Sequence, residues 1–265
     1  MRSRISLSLI LPALLACAHP TAPPIRGSSP APVPTADDVF AALKARDPAR
    51  LSAVLAANPP LAGARRPDGT SAIAASLFTL NDDEETFVRP PDNVLLRSLV
   101  GRHPPLDIYD AAATGDLSRL RALLDREPAL ANAVHPSLGI TPLHFAAFGG
   151  AAPAVALLIE RGSVLDAPSH NKFHNTALLL SVLSDEYDTA AVLLAKGANV
   201  EAVEDGGERA VHLAAEEGDV RLLALLLDHG AAVDAKTDGG ETPLVIATKR
   251  GKAQAANLLR ARGAR

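Results

Sequence analysis

The sequence predicts an all-α solenoid in which short helix-turn-helix units stack side by side. A frame of small residues followed by paired leucines recurs along the 265-residue chain at nearly constant spacing. The composition is 48% hydrophobic but only 3% aromatic, with no Trp. That mixture suits thin helices that approach one another closely better than it suits a sheet core filled with large rings.

The first 16 residues are predicted to be a signal peptide. Arg2 and Arg4 form a basic start, and an apolar stretch of 14 residues follows from Ile5 to Ala18. A membrane-spanning helix needs about 20 apolar residues, so this stretch is too short to span a bilayer. Its length and its basic flank are typical of a secretory signal.

The end of this stretch, Leu14-Leu15-Ala16-Cys17, resembles the lipobox of bacterial lipoproteins. The resemblance implies cleavage before Cys17 and lipidation of its thiol and new amino group. Several acyl chains on one residue give stable anchoring, which a single chain does not. The alternative is a secreted protein in which Cys17 is an ordinary signal-peptide residue. No disulfide is expected, because Cys17 is the only cysteine.

The lipoprotein reading places the protein in a bacterial cell envelope, lipid-anchored and facing the periplasm. Some lipoproteins carry an inner-membrane retention Asp after the lipidated Cys, and the Ala18 found here favours the outer membrane. Residues 17–36 are predicted to be a semi-rigid tether, since they contain six prolines among small or polar residues.

The clearest repeat frame is Thr141-Pro142-Leu143-His144-Phe145-Ala146-Ala147, with Gly150 and paired leucines behind it. The frame recurs from Thr176, Arg209 and Thr242. This pattern resembles the ankyrin repeat, whose Thr-Pro-Leu-His core is a specific signature. The resemblance is clear over 137–265 and degenerate over 37–136, and it implies helix pairs joined by short β-turn fingers.

About seven units are expected in the repeat domain, 37–265, with the first and last as caps. Successive units are spaced by 33 to 36 residues, close to the 33-residue ankyrin period. The first small residue of each unit is Ala42, Ala75, Ala111, Ala146, Ser181, Ala214 and Ala247.

Residues at the unit boundaries predict how the helices begin and end. Thr141 and Thr242 precede a proline, so each is expected to cap a helix whose first turn tolerates the missing N–H. Glycines follow the predicted helices where a left-handed residue is needed. The Asp-Gly-Gly runs at 205–207 and 238–240 are suited to the turns of the fingers.

The second unit departs from the pattern. Residues 81–91 insert an acidic, proline-containing segment, which is either an inert insertion or a specificity loop. A helix over 94–100 then runs almost directly into the next unit, which leaves little room for a finger.

No catalytic, cofactor or metal-binding pattern is recognised, so the chain is not expected to be an enzyme. His144 and His212 occupy the histidine position of the repeat and are expected to tie adjacent fingers together. His135, His170 and His174 are either surface histidines, the favoured interpretation, or part of a divalent-metal loop.

A formal net charge of -4 with intermixed signs gives no reason to expect nucleic acid. The family resemblance implies a protein partner, held by the finger tips and the ends of the first helices. The expected role is that of a scaffold or docking protein. The alternative is an inhibitor or immunity protein that neutralises a periplasmic enzyme or antibacterial effector. Phe148 and Phe173 are expected anchors if they are exposed and not buried between units. The candidate contact residues are Phe148, Lys172, Phe173, His174, Glu208, Glu216, Glu217, Glu241, Lys249 and Arg250.

Overall fold

A computed structural model describes residues 32–80, 85–86 and 94–265. The predicted signal peptide, Cys17 and residues 17–31 of the tether lie outside the described residues, as does most of the 81–91 insertion. Residues Val33–Arg265 form one compact unit. Within the described ranges, no helix has both the length and the apolar character needed to cross a bilayer.

Seven helix pairs make up the described part of the chain, and they form the all-α solenoid of stacked units that the sequence predicts. Each predicted small residue lies in the first helix of its pair, so the register was also right. The pairs are α1 (Ala36–Lys44) with α2 (Pro48–Ala57), α3 (Ala72–Leu77) with α4 (Val94–Val100), α5 (Ile108–Thr114) with α6 (Leu117–Arg126), α7 (Pro142–Phe148) with α8 (Ala152–Glu160), α9 (Ala177–Leu183) with α10 (Tyr187–Ala195), α11 (Ala210–Glu217) with α12 (Val220–Asp228), and α13 (Pro243–Lys249) with α14 (Ala253–Ala261).

The pairs stack into two layers. The first helices α5, α7, α9, α11 and α13 pack in succession, and the second helices α6, α8, α10, α12 and α14 form the outer layer. Alanines on the first helices let neighbouring backbones approach closely: Ala111, Ala146 and Ala247 are fully buried. Leucines on the second helices, such as Leu158 and Leu193, fill the space between units.

The C-terminal ends of α5 and α11 and the start of α13 are formed as the sequence predicts. The Thr242 hydroxyl accepts a hydrogen bond from the Val245 N–H at 3.4 Å, which caps α13. Gly115 and Gly218 end α5 and α11 with φ of 70° and 77°. A residue with a side chain is strained in this left-handed conformation, which is why glycine occupies these two positions.

Loops between consecutive units form the fingers, defined here as residues 64–71, 133–141, 162–176, 196–209 and 229–242. A backbone hydrogen bond closes each of the last two turns: Glu204 N–H donates to the Glu208 carbonyl at 2.9 Å, and Thr237 N–H to the Glu241 carbonyl at 3.1 Å. The Asp-Gly-Gly runs lie in these turns, as predicted.

Neighbouring finger tips are joined by further backbone hydrogen bonds. Asp205 N–H donates to the Phe173 carbonyl at 3.1 Å, and Asp238 N–H donates to the Gly206 carbonyl at 2.9 Å. The fingers of the later units therefore form a continuous row, which fixes the positions of side chains that different fingers contribute.

Unit 2 is irregular, as the sequence indicates. Helix α3 is followed by two short antiparallel strands, β1 (Thr79–Leu80) and β2 (Glu85–Thr86). Helix α4 ends at Val100, and residues 101–107 lead to α5 without the turn that closes the other fingers. The sequence predicted little room for a finger here, and residues 101–107 form none.

Candidate functional site: a mixed-charge pocket on the last two units

Five of the predicted contact residues line a single pocket. It has a volume of about 310 Å³, and its walls are Glu208, Glu216, Glu241, Ile246, Lys249 and Arg250. Two consecutive fingers supply Glu208 and Glu241, α11 supplies Glu216, and the end of α13 supplies the two cations. Residues from two units, up to 42 positions apart in the sequence, thus form one surface.

Both cations of the pocket form ion pairs with its walls. Lys249 Nζ pairs with Glu241 Oε1, and Arg250 Nη2 pairs with Glu216 Oε1. The hydrogen bond from Lys249, followed by its charge, lowers the pKa of Glu241 below the ordinary value. The Lys249 and Arg250 side chains stay 66% and 61% exposed, so solvent and a partner protein both have access to them.

Glu204 adds a carboxyl group that the sequence interpretation missed. Its side chain is half-buried at the start of the same finger turn that Glu208 closes. Burial, and then the charge of Glu208 and a hydrogen bond with it, raise the pKa of Glu204 to about 8. Burial, and then the charge of Glu216, also raise the pKa of Glu208. Glu204 therefore carries a proton at neutral pH.

A comparison between fingers shows that the turn itself does not need this carboxyl. The next finger has the same Asp-Gly-Gly sequence but places Thr237 where this one places Glu204. The Thr237 hydroxyl accepts a hydrogen bond from the Glu241 N–H at 3.2 Å, which supports the turn without a charge. This difference between two otherwise matching runs is the signal by which the sequence alone would have identified Glu204.

Phe148 is not a surface anchor, and this prediction is wrong. Its side chain is only 3% exposed, and its ring centroid lies 4.7 Å from that of Phe78. Helix α5, which separates the two units concerned, carries alanine at 111, 112 and 113. The rings of Phe78 and Phe148 fill the space that these small side chains leave.

The other candidates on the surface lie outside the pocket lining. Lys172 and His174 are exposed, and Phe173 is half-buried. Lys172 Nζ lies 4.9 Å from the centroid of the Phe173 ring, a cation–π arrangement. These three residues form the tip of the preceding finger. Glu217 is exposed, and its backbone carbonyl accepts a hydrogen bond from Lys252 Nζ at 2.8 Å.

The two motif histidines tie fingers to helices, as expected. His144 Nε2 donates to the Asn175 carbonyl at 2.9 Å, while its Nδ1 accepts from the Thr141 hydroxyl at 2.8 Å. His212 forms the equivalent bond to the Ala235 carbonyl at 3.0 Å. Burial lowers the pKa of His144 to about 4, so this ring is neutral at physiological pH.

His135 is not a surface histidine, contrary to the favoured interpretation. It is 2% exposed, its Nδ1 accepts from the Leu138 N–H at 3.3 Å, and its ring lies 4.9 Å from that of Tyr109. His170 and His174 are exposed. Across the described ranges, no three His, Cys, Asp or Glu side chains are grouped so that they would hold a metal ion.

The fold and the pocket define a helical-repeat protein with a row of turn fingers beside its first helices. A family model for ankyrin repeats (three copies) matches residues 108–204 and 199–265, more than half of the chain. The chain belongs to the ankyrin repeat family, and this membership supports a role in binding another protein.

Similar proteins occur in plants and animals. The probable E3 ubiquitin-protein ligase XBOS31 of Oryza sativa subsp. japonica is 34% identical over 94 residues, which cover 36% of this chain and 21% of that protein. The nuclear factor NF-kappa-B p105 subunit of Rattus norvegicus is 36% identical over 161 residues, covering 58% of this chain and 16% of that protein. The B-cell lymphoma 3 protein homolog of Mus musculus is 35% identical over 121 residues, covering 44% and 26% respectively. The matched segments thus span about a quarter or less of each relative.

Proposed function

We propose that this protein is a protein–protein interaction module whose partner contacts the mixed-charge pocket of units 6 and 7. The observation that carries the proposal is the convergence of Glu208, Glu216, Glu241, Lys249 and Arg250 on one accessible cavity. The continuous row of fingers holds these groups in place before a partner arrives, which lowers the entropy lost on binding.

The charges of the pocket favour a protein partner with basic side chains at this point. Lys249 and Arg250 are each already paired with a carboxylate. Glu204 and Glu208 form no salt bridge with a cation among the described residues. A polyanion such as nucleic acid would meet this surplus of carboxyl groups, whereas an Arg or Lys side chain would complement it.

We further propose that the protein is tethered to a bacterial envelope membrane through lipidated Cys17. Support comes from the basic start, the 14-residue apolar stretch and the lipobox-like end of the N-terminal segment. Conversion of Cys17→Ser is expected to move the protein from the membrane fraction to the soluble periplasmic fraction. Retention of this variant in the membrane would contradict the tether.

Within this setting the primary role is a scaffold or docking protein, and the alternative is an inhibitor or immunity protein that neutralises a periplasmic enzyme or antibacterial effector. The same rigid pocket serves either role. The identity of the partner separates them: a structural envelope protein supports the scaffold, and an enzyme whose activity falls on binding supports the inhibitor.

A crosslinking pull-down from envelope extract tests the interaction. The bait is the membrane-anchored chain, used beside a variant with Lys249→Glu and Arg250→Glu, which reverses both cations of the pocket. Arg161→Glu is the matched control, because Arg161 also pairs across two units, with Asp125, but away from the pocket. We expect one protein to be captured by the native and control baits and lost with the pocket variant. Equal capture by all three baits would rule out the pocket as the contact surface.

A further inference from the structure

The outer layer of helices is interrupted between units 2 and 3. Helices α6, α8, α10, α12 and α14 each pack on the next, and α2 packs on α4. Helices α4 and α6 are not packed on each other in this way. A cavity of about 360 Å³ lies at this point instead, lined by Val100, His103, Pro104, Pro105, Leu106, Asp116 and Arg119.

The hydrophobic core is divided close to this joint, within unit 2. One cluster of buried side chains runs from Val39 to Leu99 and belongs to units 1 and 2. A second, larger cluster includes Leu77 and continues to Leu259 in the last unit. The half-buried side chains of Leu96 and Leu106 touch both clusters. The hydrophobic contact that holds units 1 and 2 to the remaining stack is therefore narrow. Beyond Leu96 and Leu106 it is confined to the end of α3, where Ala74 and Leu77 are buried and Phe78 packs against Phe145 and Phe148.

Polar contacts compensate for this narrow contact. Because unit 2 has no finger, the finger over 64–71 reaches unit 3 directly, where the Thr70 and Ser137 hydroxyls lie 2.9 Å apart. Arg65 Nη1 lies 2.8 Å from Asp107 Oδ2, and Arg65 Nη2 lies 2.8 Å from Asp110 Oδ2. One guanidinium thus bridges two carboxylates at the start of α5.

Asp110 makes this bridge important for the joint. Its carboxyl is 97% buried, counting the side chain alone, and it also accepts a hydrogen bond from the Ser71 hydroxyl. A buried carboxylate that loses its cation is strongly destabilising. Arg65 and Ser71 both lie in the finger over 64–71, so this finger supplies the cation and the hydrogen bond that stabilise the buried Asp110 carboxylate.

We propose that units 1 and 2 form a cap that opens from units 3–7 as one body, and that the Arg65 bridge to Asp107 and Asp110 is the clasp that holds it closed. Opening withdraws Phe78 from Phe145 and Phe148, parts the contacts at Leu96 and Leu106, and widens the cavity between α4 and α6. The remaining joints of the stack have packed outer helices and a shared core, and they stay closed. This cap is independent of the pocket on units 6 and 7.

Hydrogen exchange measured by mass spectrometry on the full chain tests the clasp. Arg65→Met removes the bridge and keeps the length of the side chain. We expect exchange over 36–77 and 94–100 to rise about tenfold, a value reduced from that of a fully buried pair because Arg65 is 35% exposed. Exchange over 142–261 is expected to stay unchanged. Arg161→Met, which breaks the Asp125 pair at the uninterrupted joint between units 3 and 4, is expected to open neither segment. A uniform rise over all units, or an unchanged cap, would overturn the proposal.

A second variant closes the joint covalently. Thr70→Cys with Ser137→Cys, in a Cys17→Ser background, places two thiols where two hydroxyl oxygens now lie 2.9 Å apart. A disulfide brings the two sulfur atoms to about 2.05 Å. Oxidation is expected to slow exchange in the cap by at least about tenfold relative to the reduced form of the same protein. Equal exchange in the oxidised and reduced forms would show that the cap does not open at this joint.

Discussion

The Glu204 carboxyl is hydrogen-bonded to the Glu208 carboxyl across one finger turn, beside a pocket that contains two further glutamates. Burial, and then the charge of Glu208, raise the pKa of Glu204 to about 8, so two negative charges on this pair are disfavoured at neutral pH. Glu204 thus holds a proton beside the pocket, and we expect a partner's cation to displace it.

Replacing Glu204 tests how its raised pKa affects the stability of the fold. The pKa of Glu204 is about 8 in the folded chain and near 4.5 when unfolded. Between these values the folded chain binds more protons than the unfolded chain, so stability falls as pH rises through this window. Glu204→Gln removes this loss, and its stabilising effect is expected to grow from pH 5 to pH 8.5 in urea unfolding. Glu217→Gln, at an exposed site, is the control. An effect of Glu204→Gln that is the same at every pH would contradict the assignment.

His144 gives the opposite pH dependence. Its folded pKa of about 4 lies below the unfolded value of 6.5, so the unfolded chain binds more protons between them and stability is lost as pH falls through that range. We expect His144→Gln to lower stability by about 1–3 kcal/mol at pH 7, since it disturbs buried hydrogen bonds. The variant is also expected to lose less stability between pH 7 and pH 4 than the native chain does. His174→Gln, at an exposed site, is expected to change neither the stability at pH 7 nor its loss in acid. Guanidinium unfolding at pH 4, 5.5 and 7 measures both effects.

Gly149 is required by close contact and not by backbone conformation. Its φ is an ordinary −76°, but an added Cβ would lie 2.3 Å from the Ala113 carbonyl oxygen. Gly251 has φ of 71°, and an added Cβ there meets open space. Gly149→Ala is expected to cost about 3 kcal/mol by overpacking, and Gly251→Ala about 1 kcal/mol by backbone strain. Urea unfolding midpoints would show the reverse order if backbone conformation mattered more than contact.

The repeat architecture was predictable because each unit carries its own local signals. The spacing of the small residues, the Thr-Pro starts and the glycines after helices are all set within about 33 residues, the length of one unit. Helix number, register and finger positions followed from these signals. Lys249 and Arg250 were proposed as contact residues for the same reason, since they lie at the end of a first helix beside the fingers.

Contacts between units were harder to predict from one sequence. The burial of Phe148 depends on Phe78, 70 residues earlier, and on the small side chains of the helix between them. The hydrogen bond between Thr70 and Ser137 also joins residues that are not in neighbouring units. It forms because unit 2 has no finger to stand between the fingers that follow units 1 and 3. Glu204 was overlooked because a charged residue in a turn is usually exposed.

Site-specific photocrosslinking tests the central claim, that the pocket of units 6 and 7 contacts a protein partner, most directly. Lys249→benzoylphenylalanine places the probe in the pocket wall, and Val164→benzoylphenylalanine places it at an exposed control position, 58% accessible, in another unit. Irradiation in intact cells is expected to give a discrete adduct of higher mass from position 249 and none from position 164. An adduct from position 164 with none from position 249 would contradict the account.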